Sequence, residues 1–173
     1  MIQVVSQPDF REAMSRLLAA VNVITTDGPA GRYGMTASAI CSVTDAPPTV
    51  LACVNQKSSA HEALIRNGVA CVNILRSDQE QVALNFAGIT AVPHEERFTR
   101  GEWRCGELGL PTLSTALASL EGHIAGQRTV GSHSVLFIEV HSIHLCPHGD
   151  GLAYFGRAFH RLAQETAAQA RCA

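Results

Sequence analysis

The sequence predicts one mainly β domain, in which strands form a closed barrel accompanied by a few helices. Most of its apolar segments are short and end in turn residues, and helical segments interrupt them without the regular alternation of a parallel sheet. No G-x-G-x-x-G motif follows any of these segments, which argues against a doubly wound dinucleotide-binding fold. A length of 173 residues, with 46% hydrophobic and 16% charged residues, suits a single domain over 1–173 with a substantial core.

The N-terminal segment predicts a helix and then a hairpin. The helix extends from about Pro8 to Ala20, and its apolar side chains recur at helical spacing, which predicts that they pack: Phe10, Met14, Leu17 and Leu18. Val21 to Thr25 is predicted as a strand. The turn 27–31 should return it as an antiparallel hairpin onto a strand that begins near Gly34.

The stretch from Tyr33 to Ser59 is the part most typical of a ligand site. Its first strand is predicted to run to Val43, with Thr36, Ser38 and Ser42 on one face. These small hydroxylated residues leave room for a flat ligand that accepts hydrogen bonds. The second strand, Thr49 to Val54, is almost wholly apolar and is predicted to be buried on both sides.

A polar loop, 55–59, follows that second strand. Ser59 and Glu62 have the spacing of a capping box that opens a helix from His61 to Arg66. With Lys57 and two hydroxyls beside it, the start of this helix suits an anionic phosphate. An ordinary capped surface helix would leave the same pattern, and both interpretations stay open.

The rest of the chain predicts further strands around one helix and one long loop. The helix is Asp78 to Phe86, with Val82, Ala83 and Phe86 on its buried side, and the loop is Ile89 to Pro111, with aromatic anchors. The strands are predicted at 69–75, from about Ala118 to Val130, from Ser132 to Leu145, and at 152–155, with the two long strands joined at Gly131 and Ser132. The Ala-rich tail from Arg161 is predicted to be helical.

Charge and hydropathy exclude several classes of partner. The formal net charge is −2 and no run of Lys or Arg occurs, so no nucleic acid and no anionic membrane surface is implied. No apolar run approaches the roughly 20 residues that a membrane span requires. The N-terminus lacks the layout of a signal peptide, and we therefore expect the cytoplasm.

The six cysteines predict free thiols and no disulfide framework, because they show no CxxC spacing and several lie in apolar strands. His144, Cys146 and His148 would share one face of a strand, and all three are metal-ligand types. No second ligand cluster supports them, and a turn begins at Pro147. We therefore expect no metal.

Several separated motifs of the chain occur together in one known family. They are GMTASAICSVTDAPPTVLACVNQKSS from Gly34, FAG at 86–88, ERF at 96–98, SLEG at 119–122, GSH at 131–133 and YFGRAFHRL from Tyr154. With these motifs the chain resembles the flavin reductase family. The resemblance implies a split β-barrel that binds FMN or FAD as a homodimer, with NADH or NADPH as the hydride donor. It also implies that reduced flavin leaves to serve a separate monooxygenase, of the aromatic hydroxylase type.

The resemblance assigns site residues by position. Those that would hold or flank the flavin are Thr36, Ala37, Ser38, Ala39, Cys53, Val54, Asn55, Lys57, Ser58, Ser59, Phe86 and Ala87. Burial alone would instead predict that Phe86 packs in the core beside its helix. The nicotinamide side would be met by His133, Tyr154 and Arg157, with His133 as the catalytic candidate. Ser132 stands where the family commonly has Asp, which removes a negative charge beside that imidazole.

The reaction that the resemblance implies needs little general acid–base catalysis from the protein. The two cofactors carry the reactivity, and the protein aligns their rings. Two other functions remain open on the sequence: a split-barrel oxidase that retains its flavin, and a non-catalytic flavin-binding sensor. Release of the flavin separates the reductase from both.

Overall fold

The computed structural model describes residues 4–164, which form three α-helices, twelve β-strands and two short 3₁₀ helices. The helices are α1 (Gln7–Ser15), α2 (His61–Asn67) and α3 (Glu80–Phe86), with 3₁₀ turns at Ser77–Gln79 and His94–Thr99. The strands are β1 (Ala19–Ala20), β2 (Asn22–Thr26), β3 (Tyr33–Ala37), β4 (Ile40–Asp45), β5 (Pro48–Asn55), β6 (Val69–Ile74), β7 (Trp103–Cys105), β8 (Pro111–Leu113), β9 (Ala118–Val130), β10 (His133–Leu145), β11 (Gly151–Phe155) and β12 (Ala158–Leu162).

Seven strands form one antiparallel sheet in the order β3-β2-β6-β9-β10-β5-β4. Its two outermost strands, β3 and β4, are neighbours in the sequence. Two residues, Ser38 and Ala39, connect the end of β3 at Ala37 to the start of β4 at Ile40. The two ends of the sheet therefore meet, and the predicted barrel is confirmed.

The core lies inside this barrel, where buried side chains from strands all around it meet α2. Ile24, Val54, Leu64 and Leu136 are among its fully buried members. A second cluster lies outside the barrel, between β2, α3 and the two smaller sheets, and includes Val23. Since adjacent residues of a strand face opposite sides, β2 is covered on both of its faces.

The N-terminal helix is shorter than predicted, and its apolar face is exposed. The helix ends at Ser15, because Ala19 and Ala20 pair with Tyr154 and Ala153 of β11 and the chain must leave the helix to reach them. The expectation that the apolar residues pack is also wrong within this chain. They are exposed, with Phe10 at 59% and Leu17 at 63%.

Two strand predictions and one helix prediction are corrected as well. The strand predicted through Val43 breaks after Ala37, as described below. β5 is not buried on both sides: from Leu51 to Val54 buried and half-buried residues alternate, because its second face is only partly covered. Arg161 and Leu162 belong to β12, paired with β11, so a helix starting at Arg161 is wrong there; the tail from 165 on lies outside the described residues.

The predicted long loop contains more structure than expected, yet its aromatic residues do act as anchors. It holds the second 3₁₀ turn and the strands β7 and β8, which pair with each other. Phe98 and Trp103 pack on Phe86 of α3, with ring centroids 5.0 and 5.3 Å away. The loop is thereby held against the barrel.

Among residues 4–164, no helix is long and apolar enough to cross a membrane. Nor does this part of the chain bring three or more His, Cys, Asp or Glu side chains together in a group that could hold a metal ion. The thiol of Cys146 donates instead to the carbonyl of His148 at 3.2 Å. The five described cysteines are free thiols, and burial raises the pKa of Cys71 to about 12.

Candidate functional site

A sharp turn at Ser38 and Ala39 carries the chain from one end of the sheet to the other. The side-chain amide of Asn22 fixes this turn, because its Nδ2 donates to the carbonyls of Ala20 at 3.0 Å and Ala37 at 3.2 Å. Ser38 is exposed at the turn and stays accessible to a ligand. The hydroxyl of Thr36 donates its proton to the carbonyl of Ala83 in α3 at 2.6 Å, so it could only accept a hydrogen bond from a ligand.

A hollow of about 350 Å³ opens beside this turn and is called the Lys57 hollow here. Its walls are Gly34–Thr36 of β3, the loop after β5, the end of α3 and one arginine. The lining residues are Gly34, Met35, Thr36, Asn55, Lys57, Ser58, Ser59, Phe86, Ala87, Gly88 and Arg97. The polar loop that the sequence singles out therefore lies against the hydroxylated strand.

The loop is held by its own backbone, and the predicted capping box is wrong. Asn55 accepts from the amide of Lys57 at 2.9 Å, and the carbonyl of Asn55 accepts from the amide of Ser58 at 2.9 Å. The helix begins at His61 as predicted, but its N-cap is Ala60 and not Ser59, and no side chain caps it. Ser59 is thus left facing the hollow.

Two cationic side chains converge on the Lys57 hollow. Lys57 is the only lysine of the chain, and its ammonium has no carboxylate partner within residues 4–164. Arg97 reaches the hollow from the long loop, where its Nε donates to the carbonyl of Val92 at 3.4 Å. Sequence reasoning missed Arg97 as a site residue, although the ERF motif that contains it was a usable signal. Together with Ser58 and Ser59, the two cations suit an anion such as a phosphate.

Phe86 belongs to the core and to the hollow at once. Its ring is 3% exposed and packs on Phe98 and Trp103, as burial alone predicts. Its edge nevertheless lies against β3 at Gly34, where a Cβ would stand 2.6 Å from the Phe86 ring. Glycine at this position is therefore what lets the ring form the floor of the hollow.

A second hollow, of about 400 Å³, adjoins the first and is called the Tyr154 hollow here. The two share Thr36 and Ala87, and the second one continues along the turn to β11 and β12. Its lining residues are Val21, Thr36, Ala37, Ser38, Leu84, Ala87, Ile89, Tyr154, Arg157 and Phe159. Most of these are apolar, which suits a flat ring system more than a charged group.

Arg157 is fixed at the rim of the Tyr154 hollow. It adopts a left-handed backbone with φ of 66°, and its guanidinium pairs with Glu12 of α1 at 2.8 Å. Hydrogen bonds from Arg16 and Arg157 lower the pKa of the Glu12 carboxyl, which therefore stays ionised at neutral pH. α1 thus lies over the end of the second hollow.

The comparisons with known proteins agree with this geometry. A family profile described as "Flavin reductase like domain" matches residues 14–163. The chain belongs to this family. It is 53% identical over 156 residues to the 4-hydroxyphenylacetate 3-monooxygenase reductase component of Pseudomonas aeruginosa, covering 90% of this chain and 92% of that one. It is 47% identical over 167 residues to the FMN reductase (NADH) RutF of Pseudomonas syringae pv. syringae, covering 96% and 93%.

A solved flavin reductase shares the fold. The Streptomyces globisporus C-1027 NADH:FAD oxidoreductase SgcE6, in complex with NAD and FAD fragments, superposes with a TM-score of 0.83 at 30% identity. The superposition covers 93% of this chain and 97% of that one. The split β-barrel of the flavin reductases is therefore confirmed for this chain.

Most of the residues that the flavin reductase motifs assign do line the two hollows, and four do not. The side chain of Val54 is fully buried in the barrel core, so only its backbone could reach a ligand. Cys53 lies on the opposite face of β5 and is outside both hollows. The carbonyl of Ala39 already accepts a hydrogen bond from the amide of Cys53, and Ala39 lines a different hollow together with residues of α1.

His133 is the fourth of these residues. It lies at the exposed start of β10, opposite Asn55 of β5, and lines neither hollow. The hydroxyl of Ser132 is 2.9 Å from its Nδ1, so a neutral partner orients this imidazole. Within this chain His133 is not brought together with Tyr154 and Arg157, although the neighbouring Asn55 lies in the Lys57 hollow.

Proposed function

We propose that this chain is an NADH-dependent flavin reductase that supplies reduced flavin to a separate monooxygenase. One observation carries the proposal: an apolar hollow for rings and a cationic hollow for a phosphate adjoin each other and share Thr36 and Ala87. The names of the curated relatives, a monooxygenase reductase component and an NADH-dependent FMN reductase, support it. The first of these names favours an aromatic, 4-hydroxyphenylacetate-type hydroxylase as the enzyme that is supplied.

The residues present fit a flavin. Lys57, Ser59 and Arg97 would hold its phosphate, since both cations line one hollow and no described carboxylate pairs with Lys57. The turn at Ser38 and the backbone of Ala87 would border its rings in the Tyr154 hollow. The bound cofactors supply the hydride chemistry, from the nicotinamide to the flavin. The protein aligns the rings and keeps water from the apolar hollow.

A steady-state assay tests the proposal. NADH oxidation is measured with free FMN or FAD as a second substrate, and the rate is expected to saturate in both NADH and flavin, because flavin is bound, reduced and released. The same assay with NADPH settles which nicotinamide is preferred. Tight binding of one flavin per chain without NADH turnover would contradict the proposal and favour a sensor. Turnover that requires a retained flavin would contradict it in favour of an oxidase.

His133→Ala tests whether the imidazole serves the nicotinamide. If it does, we expect a KM for NADH that is raised several-fold or a slower hydride transfer, with flavin affinity nearly unchanged, because the lost contacts form only once the second cofactor arrives. Measuring both on one preparation, with the exposed His148→Ala as the matched control, isolates this effect. Normal NADH kinetics in a mutant destabilised by about 1 kcal/mol would instead make His133 a turn residue.

The exposed apolar residues of α1 and of the segment that follows it support a homodimer as part of this proposal. Phe10, Met14, Leu17 and Leu18 are all large and exposed, and Met14 and Leu17 line a further hollow beside Tyr154 and Arg157. A second copy of the chain that covered this face would lie next to the nicotinamide residues, at the flavin. We also propose the cytoplasm as its compartment, since the free thiols fit a reducing environment.

A further inference from the structure

A hollow beside α1 adjoins the Tyr154 hollow. Its volume is about 390 Å³, and it is called the α1 hollow here. It shares Ser38, Tyr154 and Arg157 with the Tyr154 hollow, so the two spaces are connected. Arg11 and Ser15 of α1 also line it. Arg157 therefore lies at the boundary between the apolar hollow and a second space that carries polar groups.

Arg157 occupies a backbone position that is typical of glycine or asparagine. With Gly156 it forms the two-residue loop between Phe155 and Ala158, which pair with each other. Both loop residues have a positive φ, 58° for Gly156 and 66° for Arg157, as in a type I′ turn. Among residues 4–164, no other residue except glycine has a positive φ. An arginine in such a strained position indicates that its side chain has a use beyond the turn.

Glu12 fixes the direction of the Arg157 side chain. Its Oε2 accepts a hydrogen bond from Nη2 of Arg157 at 2.8 Å. Its Oε1 accepts from Nε and Nη2 of Arg16 at 3.3 and 3.0 Å, and Arg16 lies one turn further along, at the end of α1. The carboxylate is thus oriented from its own helix. Among the described residues only one N–H donor of the Arg157 guanidinium is bonded, which leaves the others for a ligand.

The ion pair between Glu12 and Arg157 contributes little to the stability of the fold. The two side chains are 55% and 61% exposed, and exposed ion pairs are weak. A backbone hydrogen bond of 2.8 Å, from the amide of Gly156 to the carbonyl of Ser15, already joins α1 to the turn. The pair instead restricts the rotamers of a long cationic side chain before a ligand arrives. Such preorganisation lowers the entropy that is lost on binding.

We propose that Glu12 is a positioning residue for the nicotinamide dinucleotide: it holds Arg157 in place to bind the pyrophosphate of NADH. Hydride transfer requires the nicotinamide ring to stack on the flavin rings at the Tyr154 hollow. The phosphates then follow at the rim, where Ser38 and Arg157 continue into the α1 hollow. A guanidinium binds phosphate oxygens through charge-assisted hydrogen bonds. This inference rests on the proposed function, because it assumes that the flavin rings lie in the Tyr154 hollow.

Glu12→Gln tests the inference, because it removes the charge of this side chain and keeps its shape. With FMN as acceptor, we expect the KM for NADH to rise about fivefold, while kcat and the dissociation constant for FMN stay unchanged. Binding of NAD⁺ to the FMN-loaded protein, measured by isothermal titration calorimetry, should weaken by the same factor.

A control variant and a control substrate accompany this measurement. Glu62→Gln is the matched control, since Glu62 forms an exposed pair with Arg66 at the same helical spacing but lines neither the α1 hollow nor the Tyr154 hollow. The control substrate is 1-benzyl-1,4-dihydronicotinamide, a hydride donor without phosphates. Its KM should be the same in wild type and in Glu12→Gln.

The variant Arg157→Gly shows whether Glu12 acts through Arg157. Glycine fits the positive φ, so Tm should change by less than about 2 °C, while the KM for NADH rises about tenfold. In that variant Glu12→Gln should raise the KM no further, because two residues that act through one contact are not additive.

Three results would overturn the inference and leave the reductase proposal intact. The first is a further fivefold rise of the KM for NADH when Glu12→Gln is added to Arg157→Gly. The second is an equal rise of the KM for the donor without phosphates. The third is normal NADH kinetics in a Glu12→Gln variant with a lowered Tm, which would make the ion pair structural. If wild type oxidises no NADH with added flavin, both proposals are wrong.

Discussion

Replacing Lys57 and Arg97 together with alanine is expected to weaken FMN binding by a hundredfold or more. Both side chains line the Lys57 hollow, and Ser58 and Ser59 alone would remain to contact the phosphate. A hydrogen bond to a charged group contributes about 1.5–3 kcal/mol, so two of them correspond to at least about 3 kcal/mol of binding free energy. The measurement is a fluorescence titration of the folded double mutant with FMN.

Riboflavin, which lacks the phosphate, is the control ligand for this double mutant, and its affinity should be nearly unchanged. Arg100→Ala is the matched control variant. Arg100 directly follows the 3₁₀ turn that contains Arg97, but its guanidinium pairs with Glu96 and does not line the hollow. Equal losses for riboflavin and FMN would show that the substitutions disturb the ring site or the fold. The phosphate assignment would then be wrong.

Gly122→Ala is expected to destabilise the whole barrel. Gly122 lies in β9 and is paired on both sides, with Ala70 of β6 and Val140 of β10. A Cβ there would stand 2.1 Å from the backbone carbonyl oxygen of Glu139, and backbone cannot move aside as a side chain can. Overpacking of this kind costs about 3 kcal/mol, which lowers Tm by roughly 6–12 °C in a domain of this size.

Gly126→Ala, four residues further along the same strand, is the control for that prediction. Its added Cβ would meet only the Phe137 ring, at 3.9 Å, an ordinary contact. Thermal unfolding of the two variants, followed by circular dichroism, should therefore show a large loss for Gly122→Ala and little change for Gly126→Ala. Similar melting temperatures for both would mean that the strands around Gly122 shift more easily than the structure indicates.

Local sequence patterns were sufficient for much of this fold. The long strands β9 and β10 were predicted because their apolar residues alternate over many positions, with a Gly-Ser turn between them. The polar loop after β5 was predicted because five polar residues end an apolar run abruptly, and the structure places it at the candidate site. Both features are set by neighbours in the sequence.

What the sequence did not predict depends on contacts between distant residues. The break after Ala37 follows from a hydrogen bond made by Asn22, and no residue pattern near β3 predicts this break. Arg97 reaches the site only because Phe98 and Trp103 fold the long loop onto α3. The apolar face of α1 was predicted to be buried, and no residue of the same chain covers it among those described.

The barrel closes where Ser38 and Ala39 connect β3 to β4, and this line between the two outermost strands is called the seam here. Two adjacent residues join the outermost strands, so closing the sheet at this seam costs almost no loop entropy. Within residues 4–164 no strand pairing joins β3 to β4, whereas the boundaries β5–β10 and β6–β9 have full ladders. Local unfolding should therefore begin there, along the line on which the flavin rings are proposed to lie. A ligand bound across the seam would protect those amides from hydrogen exchange more than it raises the stability of the distant strands.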